Sequence, residues 1–170
     1  MNSFDDKVLD EIKNFNLPNF SEIPNVGLFL EQVTKYIGEY LNPLDESVTL
    51  TGSMISNYVK KDIIKNPVKK QYAREEIAYL FFIAIAKSVL SLEDITVLLN
   101  IQKEKCQVEE AYDIFKSEFK NTLNEVFGIK QKFPTPTLKS STETILLSKT
   151  IITVCHKIYL DKYLKSLKSQ

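Results

Sequence analysis

The sequence predicts an all-α fold, and three observations support this prediction. The 170-residue chain holds only four glycines and six prolines, so it favours long elements over tight turns. Apolar residues make up 44% and charged residues 26% of the chain, as is typical of a soluble globular protein. Apolar residues also recur at helical spacing in several segments. We therefore expect a core built from helices.

Helical patterns and stop signals divide the chain into three parts. Residues 1–25 hold a short amphipathic segment and then a linker that contains two prolines. Residues 26–100 hold four predicted helices and form the candidate functional domain. Residues 101–170 form a C-terminal helical region, to which we assign a role in dimerisation.

The first two helices of the middle part have recognisable ends. Apolar residues follow helical spacing over residues 26–41, and Asn42-Pro43 ends this helix because proline disfavours helical geometry in its predecessor. Thr51 is a suitable N-cap for a short helix over residues 52–61, since its hydroxyl can accept a hydrogen bond from an unpaired backbone N–H.

The next two helices form the centre of the predicted core. A helix begins near Arg74 and is apolar on nearly every side, which is typical of a buried helix. Ser91, with Asp94 three residues later, resembles a capping box that opens another helix. These helices should be covered by the rest of the chain.

Two long helices are predicted in the C-terminal part. One covers residues 103–127 and ends at Gly128, a common helix-stopping residue. The other covers residues 141–167, and Ser140 with Glu143 forms a capping box at its start. A linker containing prolines separates the two helices.

One short stretch departs from the charge balance of the chain. Residues 57–76, "NYVKKDIIKNPVKKQYAREE", are strongly basic, although the whole chain has 22 basic and 22 acidic residues. Six basic side chains stand against two acidic ones over residues 58–75. Pro67 excludes a continuous helix, so we expect a bent extended arm. Such an arm beside a short polar helix is suited to binding phosphate groups.

Three motifs in this region resemble the DNA-binding domain of the MerR family of bacterial regulators. "MISNYVKKDII" has the length of the family's "TLRYYERIGLL", while "QYAREEIAYLFFI" and "VLSLEDI" fall on "YYSEEDLERLRFI" and "GFSLEEI". The resemblance covers roughly residues 50–99, and the spacing between the last two motifs also agrees. The whole chain is also similar to a MerR-like family of small bacterial proteins classed as a domain of unknown function.

The resemblance implies both a fold and a function. The fold would be a winged helix-turn-helix with a short or truncated wing, a further helix pair and additional C-terminal helices. Residues 26–41 are the best candidate for its first helix. The implied function is a transcription regulator that binds duplex DNA, with its effector unknown.

Individual positions carry over from the family's motifs. Tyr58 falls on a tyrosine whose hydroxyl reaches a phosphate, Lys60 on a basic position, and Tyr72 on the tyrosine that closes the wing. The chain departs from the family at four positions: Ser56 replaces an arginine, Asn57 a tyrosine, Asp62 a glycine and Ala73 an N-cap serine.

The candidate interface combines these positions with the exposed polar residues. Ser53, Ser56 and Asn57 are expected to face base edges, since asparagine suits adenine and serine bonds several bases. The lysines and Arg74 are expected to hold the phosphate backbone. The complete set is Ser53, Ser56, Asn57, Tyr58, Lys60, Lys61, Lys65, Lys69, Lys70, Tyr72 and Arg74.

The basic stretch has two other interpretations. The lysines can simply form a solvated face, or the chain can be a helical protein-interaction module whose arm docks an acidic partner. An enzyme is not expected, because no glycine-rich phosphate loop occurs and the acidic pairs lie near predicted helix starts. We therefore expect no cofactor.

The cysteines and the single histidine indicate an intracellular protein without a metal site. Cys106 and Cys155 lack the CxxC spacing, and His156 lacks the convergent ligands that a metal needs. No secretion signal and no membrane-spanning run of apolar residues is apparent. We expect a cytoplasmic protein.

The last helix carries apolar residues on two sides. Ile145, Ile152, Cys155, Tyr159 and Leu160 lie on one side, and Leu147, Ile151, Val154 and Ile158 lie on the other. A surface helix needs only one apolar side. Either the helix is sandwiched between residues 26–41 and 103–127, or one side forms a homodimer interface.

Overall fold

Helices dominate the computed structural model, which describes residues 6–134 and 141–168. The helices are α1 Asp6–Asn14, α2 Leu30–Leu41, α3 Gly52–Lys60, α4 Arg74–Ala86, α5 Leu92–Lys105, α6 Val108–Val126 and α7 Thr142–Lys168. Two short strands, β1 Leu28–Phe29 and β2 Gln71–Tyr72, pair antiparallel. Short 3₁₀ helices cover Phe20–Glu22 and Glu46–Val48. The predicted all-α architecture is confirmed.

Local capping explains where several helices begin and end. The Thr51 hydroxyl accepts the N–H of Met54 at 3.2 Å, and the Ser91 hydroxyl accepts the N–H of Asp94 at 3.1 Å. Gly128, just after α6, has a φ of 73°, a left-handed conformation that favours glycine. These three sequence predictions are confirmed.

The predicted helix over residues 103–127 is wrong at its start. Residues 103–105 belong to α5, and the chain becomes extended at Cys106 before α6 begins. The Gln102 side-chain amide stabilises this break because its Nε2 donates to the Cys106 carbonyl at 2.9 Å. At the start of α7, the predicted cap Ser140 lies outside the described residues, while the Ser141 hydroxyl accepts the N–H of Thr144 at 3.4 Å.

α4 is the centre of the core, as its apolar sequence predicts. Ile77, Leu80, Phe81 and Ile83 are completely buried, and α2, α6 and α7 pack around the helix. A helix that is apolar all round reaches this burial only when neighbours cover every side. Residues from all three predicted parts of the chain therefore share one hydrophobic core.

The segment before α2 is packed into the core, so the predicted linker is corrected. Leu17, Phe20 and Ile23 are buried, and the Tyr112 hydroxyl donates to the Pro18 carbonyl at 3.0 Å. Prolines and turn residues exclude a long regular helix here, yet the three apolar side chains belong to the hydrophobic core, and the short 3₁₀ helix Phe20–Glu22 packs on α6.

α7 buries one side and exposes the other. Val154 and Ile158 are buried where α7 packs on α6, α5 and α4. Cys155, which the sequence grouped with Ile145 and Ile152, is buried as well. The exposed apolar residues on the outer side are Ile145, Leu146, Ile152, Leu160, Leu164 and Leu167. The intramolecular sandwich considered from the sequence does not cover this side.

The helices were also compared with the requirements of a transmembrane span. Within residues 6–134 and 141–168, no helix has both the length and the apolar character that a transmembrane span requires.

A buried lysine on α6 holds the C-terminal end of α1. Lys120 is only 5% exposed, and its Nζ donates to the carbonyls of Ile12 and Lys13 at 2.8 and 2.9 Å. These carbonyls are among those that a helix end leaves without an intrahelical partner. Burial lowers the pKa of Lys120 to about 8, because a charged ammonium loses its hydration there.

We expect the free energy of unfolding to rise with pH as Lys120 loses its proton. Between pH 8 and 10 the unfolded chain binds more protons at this lysine than the folded chain, so raising the pH favours folding. The expected rise from Lys120 is about 2 kcal/mol over this interval, since one pKa unit corresponds to about 1.4 kcal/mol. Urea unfolding of wild type and Lys120→Met at several pH values measures it. Lys120→Met should lose this increase in the free energy of unfolding, and the control Lys130→Met, at an exposed lysine, should keep it. An equal increase in Lys120→Met and wild type would show that Lys120 is not its source.

Candidate nucleic-acid interface

α3 presents one polar side to solvent. Ser53, Ser56, Asn57 and Lys60 are exposed, and their spacing of three, one and three residues places them on one side of a helix. Ile55 is buried on the opposite side. The helix therefore displays hydroxyl, amide and ammonium groups along its outer surface.

α2 and the segment after it hold α3 in place. α2 packs against α3, and Gly52 lies so close to Leu30 that an added Cβ would stand 3.4 Å from the leucine side chain. Residues 42–51 join the two helices and bury Val48 and Leu50. The connection is ten residues long, as the separation of the predicted helices requires, yet it is anchored in the core.

The basic arm ends in a tight turn, which corrects the predicted extended conformation. The N–H of Val68 donates to the Gln71 carbonyl at 3.0 Å, and the N–H of Gln71 donates to the Val68 carbonyl at 2.9 Å. Between them, Lys69 and Lys70 have φ values of 50° and 65°. We call residues 68–71 the lysine turn.

The lysine turn has an unusual composition for its geometry. Two-residue hairpin loops with positive φ at both central positions strongly prefer Asn-Gly or a similar pair. Left-handed geometry costs about 1–2 kcal/mol for an ordinary side chain such as Lys69 or Lys70. The surrounding contacts must offset this cost, and they place two ammonium groups at the tip of the turn.

Contacts from α4 and α5 anchor the arm that leads to the turn. The carboxylate of Glu76 accepts the N–H of Lys65 at 2.8 Å, and Lys103 Nζ donates to the Ile63 carbonyl at 3.3 Å. The Lys103 ammonium also lies 5.0 Å from the centre of the Tyr79 ring, a cation–π contact. Ile64 is buried, so the arm is tied to the core before it reaches the turn.

Glu76 holds the arm from a largely buried position. Burial raises the pKa of its carboxyl group, and the hydrogen bond from the Lys65 N–H together with the charges of Lys65 and Lys103 partly offsets this rise. The position of Glu76 in the first turn of α4 also favours its negative charge. The carboxyl group is therefore a structural acceptor for the arm.

Five of the predicted basic residues are available to an anionic partner. Among residues 6–134 and 141–168, the ion pairs involve none of these five exposed lysines. The five are Lys60, Lys61, Lys65, Lys69 and Lys70. The β1–β2 pairing attaches the lysine turn to the start of α2, and α2 packs on α3.

Three predicted backbone contacts instead have packing roles. Tyr58 and Tyr72 are 5% and 4% exposed and belong to the hydrophobic core, and burial raises the pKa of both hydroxyls. Arg74 Nε donates to the Ile23 carbonyl at 2.7 Å, and its guanidinium lies 5.6 Å from the centre of the Phe20 ring. The structure thus uses Arg74 to hold the segment before α2.

An exposed apolar patch beside the turn was missed from the sequence. Gln71 is paired with Phe29 on one side and with Val68 on the other, so these three side chains lie on the same face of the small sheet. Val26 and Val68 are each 75% exposed. The sequence signal for this patch was the presence of Val26 and Phe29 before α2. Both residues were assigned to the predicted helix over residues 26–41, so the patch was not recognised.

One protein family matches the region that contains this interface. The family described as "Domain of unknown function (DUF1836)" matches residues 18–115, which is more than half of the chain. The chain belongs to this family. The DUF1836 region runs from the packed segment before α2 to the middle of α6, so it contains α3, the lysine turn and their anchors. No curated protein and no solved structure matches the chain.

We expect Glu76→Ala to release the arm without unfolding the chain. The variant leaves the Lys65 N–H without its acceptor, and a hydrogen bond to a charged group such as the Glu76 carboxylate contributes about 1.5–3 kcal/mol. Hydrogen exchange at the Lys65 amide should then accelerate at least about tenfold, as measured by NMR.

Two matched variants show whether faster exchange of the Lys65 amide comes from loss of this hydrogen bond or from a general loss of stability. Glu76→Gln keeps an oxygen acceptor and should retain most of the protection of the Lys65 amide. Glu75→Ala removes the neighbouring exposed carboxylate and should leave that amide unchanged. Equal exchange rates in Glu76→Ala and wild type would show that this contact does not anchor the arm.

Proposed function

We propose that this protein is a cytoplasmic DNA-binding transcription regulator of MerR-like type that acts as a homodimer. The observation that carries the proposal is the exposed polar side of α3, together with five exposed lysines between residues 60 and 70 that form no ion pair within residues 6–134 and 141–168. A short helix enters the major groove with such a side, while flanking cations contact phosphates. The role is binding, and no catalytic step is assigned.

The order of the elements supports the MerR-like assignment. α2 and α3 correspond to the helix pair of a helix-turn-helix, the lysine turn to a short wing, and α4 and α5 to the further helix pair. The wing is short because its loop, between Val68 and Gln71, consists of only two residues, Lys69 and Lys70. The three motifs on which the family resemblance was based lie in α3, in β2 with α4, and at the start of α5.

The side chains of α3 divide into two proposed roles. Ser53, Ser56 and Asn57 would face the bases, with Asn57 suited to the N6 and N7 atoms of adenine. Lys60 at the end of the helix would contact the phosphate backbone with the lysines that follow it. Since serine occupies position 56, strong bidentate reading of guanine is not part of this proposal.

Salt dependence follows from the number of lysines. Each phosphate neutralised on duplex DNA contributes a slope of about −0.9 to log K against log salt concentration. A homodimer that uses the five exposed lysines of each protomer would show a steep slope. The neutral overall charge of the chain makes this local surface the expected site of phosphate contact.

The outer side of α7 supports the homodimer. Ile145, Ile152, Leu160, Leu164 and Leu167 follow one another at intervals of seven, eight, four and three residues, which keeps them on one side of the helix. Such a long exposed apolar side is a typical protein interface. A dimer would present two copies of α3 to half-sites about 34 Å apart, the spacing of one turn of DNA.

The two cysteines support the cytoplasmic assignment. Neither Cys106 nor Cys155 is in a disulfide, as is usual in a reducing compartment.

A protein-interaction module is the second candidate function. The outer surface of α2 exposes the carboxylates of Glu31 and Glu39 on either side of Lys35, a net negative charge that would repel a phosphate backbone at the position where the first helix crosses it. The exposed side chains of Val26, Phe29 and Val68 suit contact with a protein. In this case the lysine turn would dock an acidic segment of the partner.

Charge reversal in the lysine turn tests DNA binding. We expect Lys69→Glu/Lys70→Glu to weaken binding to a random 30-base-pair duplex at least about thirtyfold at moderate salt. The salt slope should also fall by about 0.9 for each phosphate that the variant no longer neutralises. Fluorescence anisotropy across a salt series measures both quantities. Left-handed geometry costs about as much free energy for glutamate as for lysine, so the double substitution acts mainly through its change of charge.

The control for this experiment has the same change in net charge. Lys130→Glu/Lys132→Glu reverses two exposed lysines beyond α6 and should bind DNA like wild type. If wild type shows no salt-sensitive binding to duplex DNA, the interaction module is the correct function. If both double variants weaken binding equally, only overall charge matters and the proposed interface is wrong.

A polar substitution on α7 tests the homodimer. Leu160 is 54% exposed, so Leu160→Lys places a charge on the proposed interface with little effect on the fold. Light scattering after gel filtration should give the mass of two chains for wild type and of one chain for the variant. Val97→Lys, at an equally exposed apolar residue on α5, should remain dimeric. A monomeric wild type would contradict the proposal.

A further inference from the structure

An apolar cavity lies at the junction of four helices. Its volume is about 120 Å³, and α4, α5, α6 and the first turns of α7 line it, with one part open to solvent. The wall includes the rings of Tyr79, Phe82 and Phe115 and the aliphatic side chains of Leu98, Ile114 and Leu147. Protein interiors rarely keep voids larger than a water molecule, so a cavity of this size is a candidate ligand site.

We propose that this cavity binds a small uncharged aromatic molecule with a single ring. An apolar cavity of about 150 Å³ in another protein stays dry and binds benzene, which sets the scale of the ligand. The rings of Phe82 and Phe115 stand 5.4 Å apart at 88° to each other, so the wall offers ring edges and faces in different directions. A third ring packs well against such a wall.

The rim and the polar groups of the wall favour a neutral ligand. Lys105 and Glu143 line the opening and lie 3.7 Å apart as an ion pair, so their charges offset each other. Gln102 Nε2 donates to the Cys106 carbonyl, and the Tyr112 hydroxyl donates to the Pro18 carbonyl. The buried Oε1 of Gln102 has no hydrogen-bond partner among the described residues, so the wall offers an acceptor that carries no charge. A carboxylate ligand would lose its hydration, while Lys105, the cation that lines the cavity, is already paired with Glu143.

Ligand binding can be measured by ¹⁹F NMR with a matched pair of probes. Fluorobenzene should bind wild type saturably, while 4-fluorobenzoate, which adds a carboxylate to the same ring, should bind at least about tenfold more weakly. Equal binding of the two probes, or no saturable binding of fluorobenzene, would overturn the proposal. The measurement does not involve DNA, so it is independent of the proposed regulatory function.

A cavity-filling variant tests the location. Ala111 lines the cavity from α6, and Ala111→Leu places a larger side chain in the same space. We expect fluorobenzene affinity to fall at least about tenfold, while Ala73→Leu, at an exposed alanine outside the cavity, should bind like wild type. Unchanged affinity in Ala111→Leu would exclude this cavity as the site.

A second measurement uses the wild-type chain alone, in case Ala111→Leu does not fold. Cys106 lines the cavity and is partly exposed, whereas Cys155 is buried and burial raises the pKa of its thiol. A thiol reagent should therefore modify Cys106 first. Saturating fluorobenzene should slow this reaction at least about fivefold; an unchanged rate would contradict occupation of the cavity.

Discussion

The burial of α4 on every side is the constraint on which the rest of the structure depends. Each fully buried side chain of the size of Ile77, Leu80 or Phe81 contributes about 1.5–3 kcal/mol, so leaving any side of this helix in water would be costly. α2, α6 and α7 pack around it, and even the irregular segment before α2 is drawn into the core. The three predicted parts of the chain are held together by this one helix.

The same helix also positions the candidate interface. Its first turn carries Glu76, which holds the arm, and Arg74, which holds the segment before α2. The lysine turn and β1 are thus attached through their flanking segments to one rigid element, although neither has a core of its own. The positions of the exposed lysines therefore depend on hydrogen bonds from α4, the helix at the centre of the molecule.

Local signals were sufficient for most of the helices. Thr51 and Ser91 marked helix starts and Gly128 a helix end, because a cap depends only on neighbours a few residues away. The boundary between α5 and α6 was predicted near residue 103 and lies at Cys106, because the contact from Gln102 that stabilises the break is a side-chain hydrogen bond. Helical spacing reports which side of a helix is apolar and carries no information on such a break.

The candidate site was predictable in part. The exposed side of α3 follows from helical spacing, so Ser53, Ser56 and Asn57 were identified from the sequence together with the exposed lysines. The roles of Tyr58, Tyr72 and Arg74 were not identified from the sequence, because a tyrosine or an arginine can either contact a phosphate or pack inside the protein. Burial decides between these roles, and burial depends on distant segments such as Phe20 and Ile23.

By itself, the sequence determined the helical class, most helix ends, the central position of α4 and the excess of positive charge in one stretch. Each of these depends on residue types and on spacings within about one or two helical turns. Only the tertiary structure decided the β1–β2 pairing, the left-handed lysine turn, the buried Lys120 and the apolar cavity. The strand pairing, the Lys120 contacts and the cavity join residues far apart in the chain, and the local lysine turn depends on the contacts that Glu76 and Lys103 make with the segment before it. These contacts form only when the core is assembled.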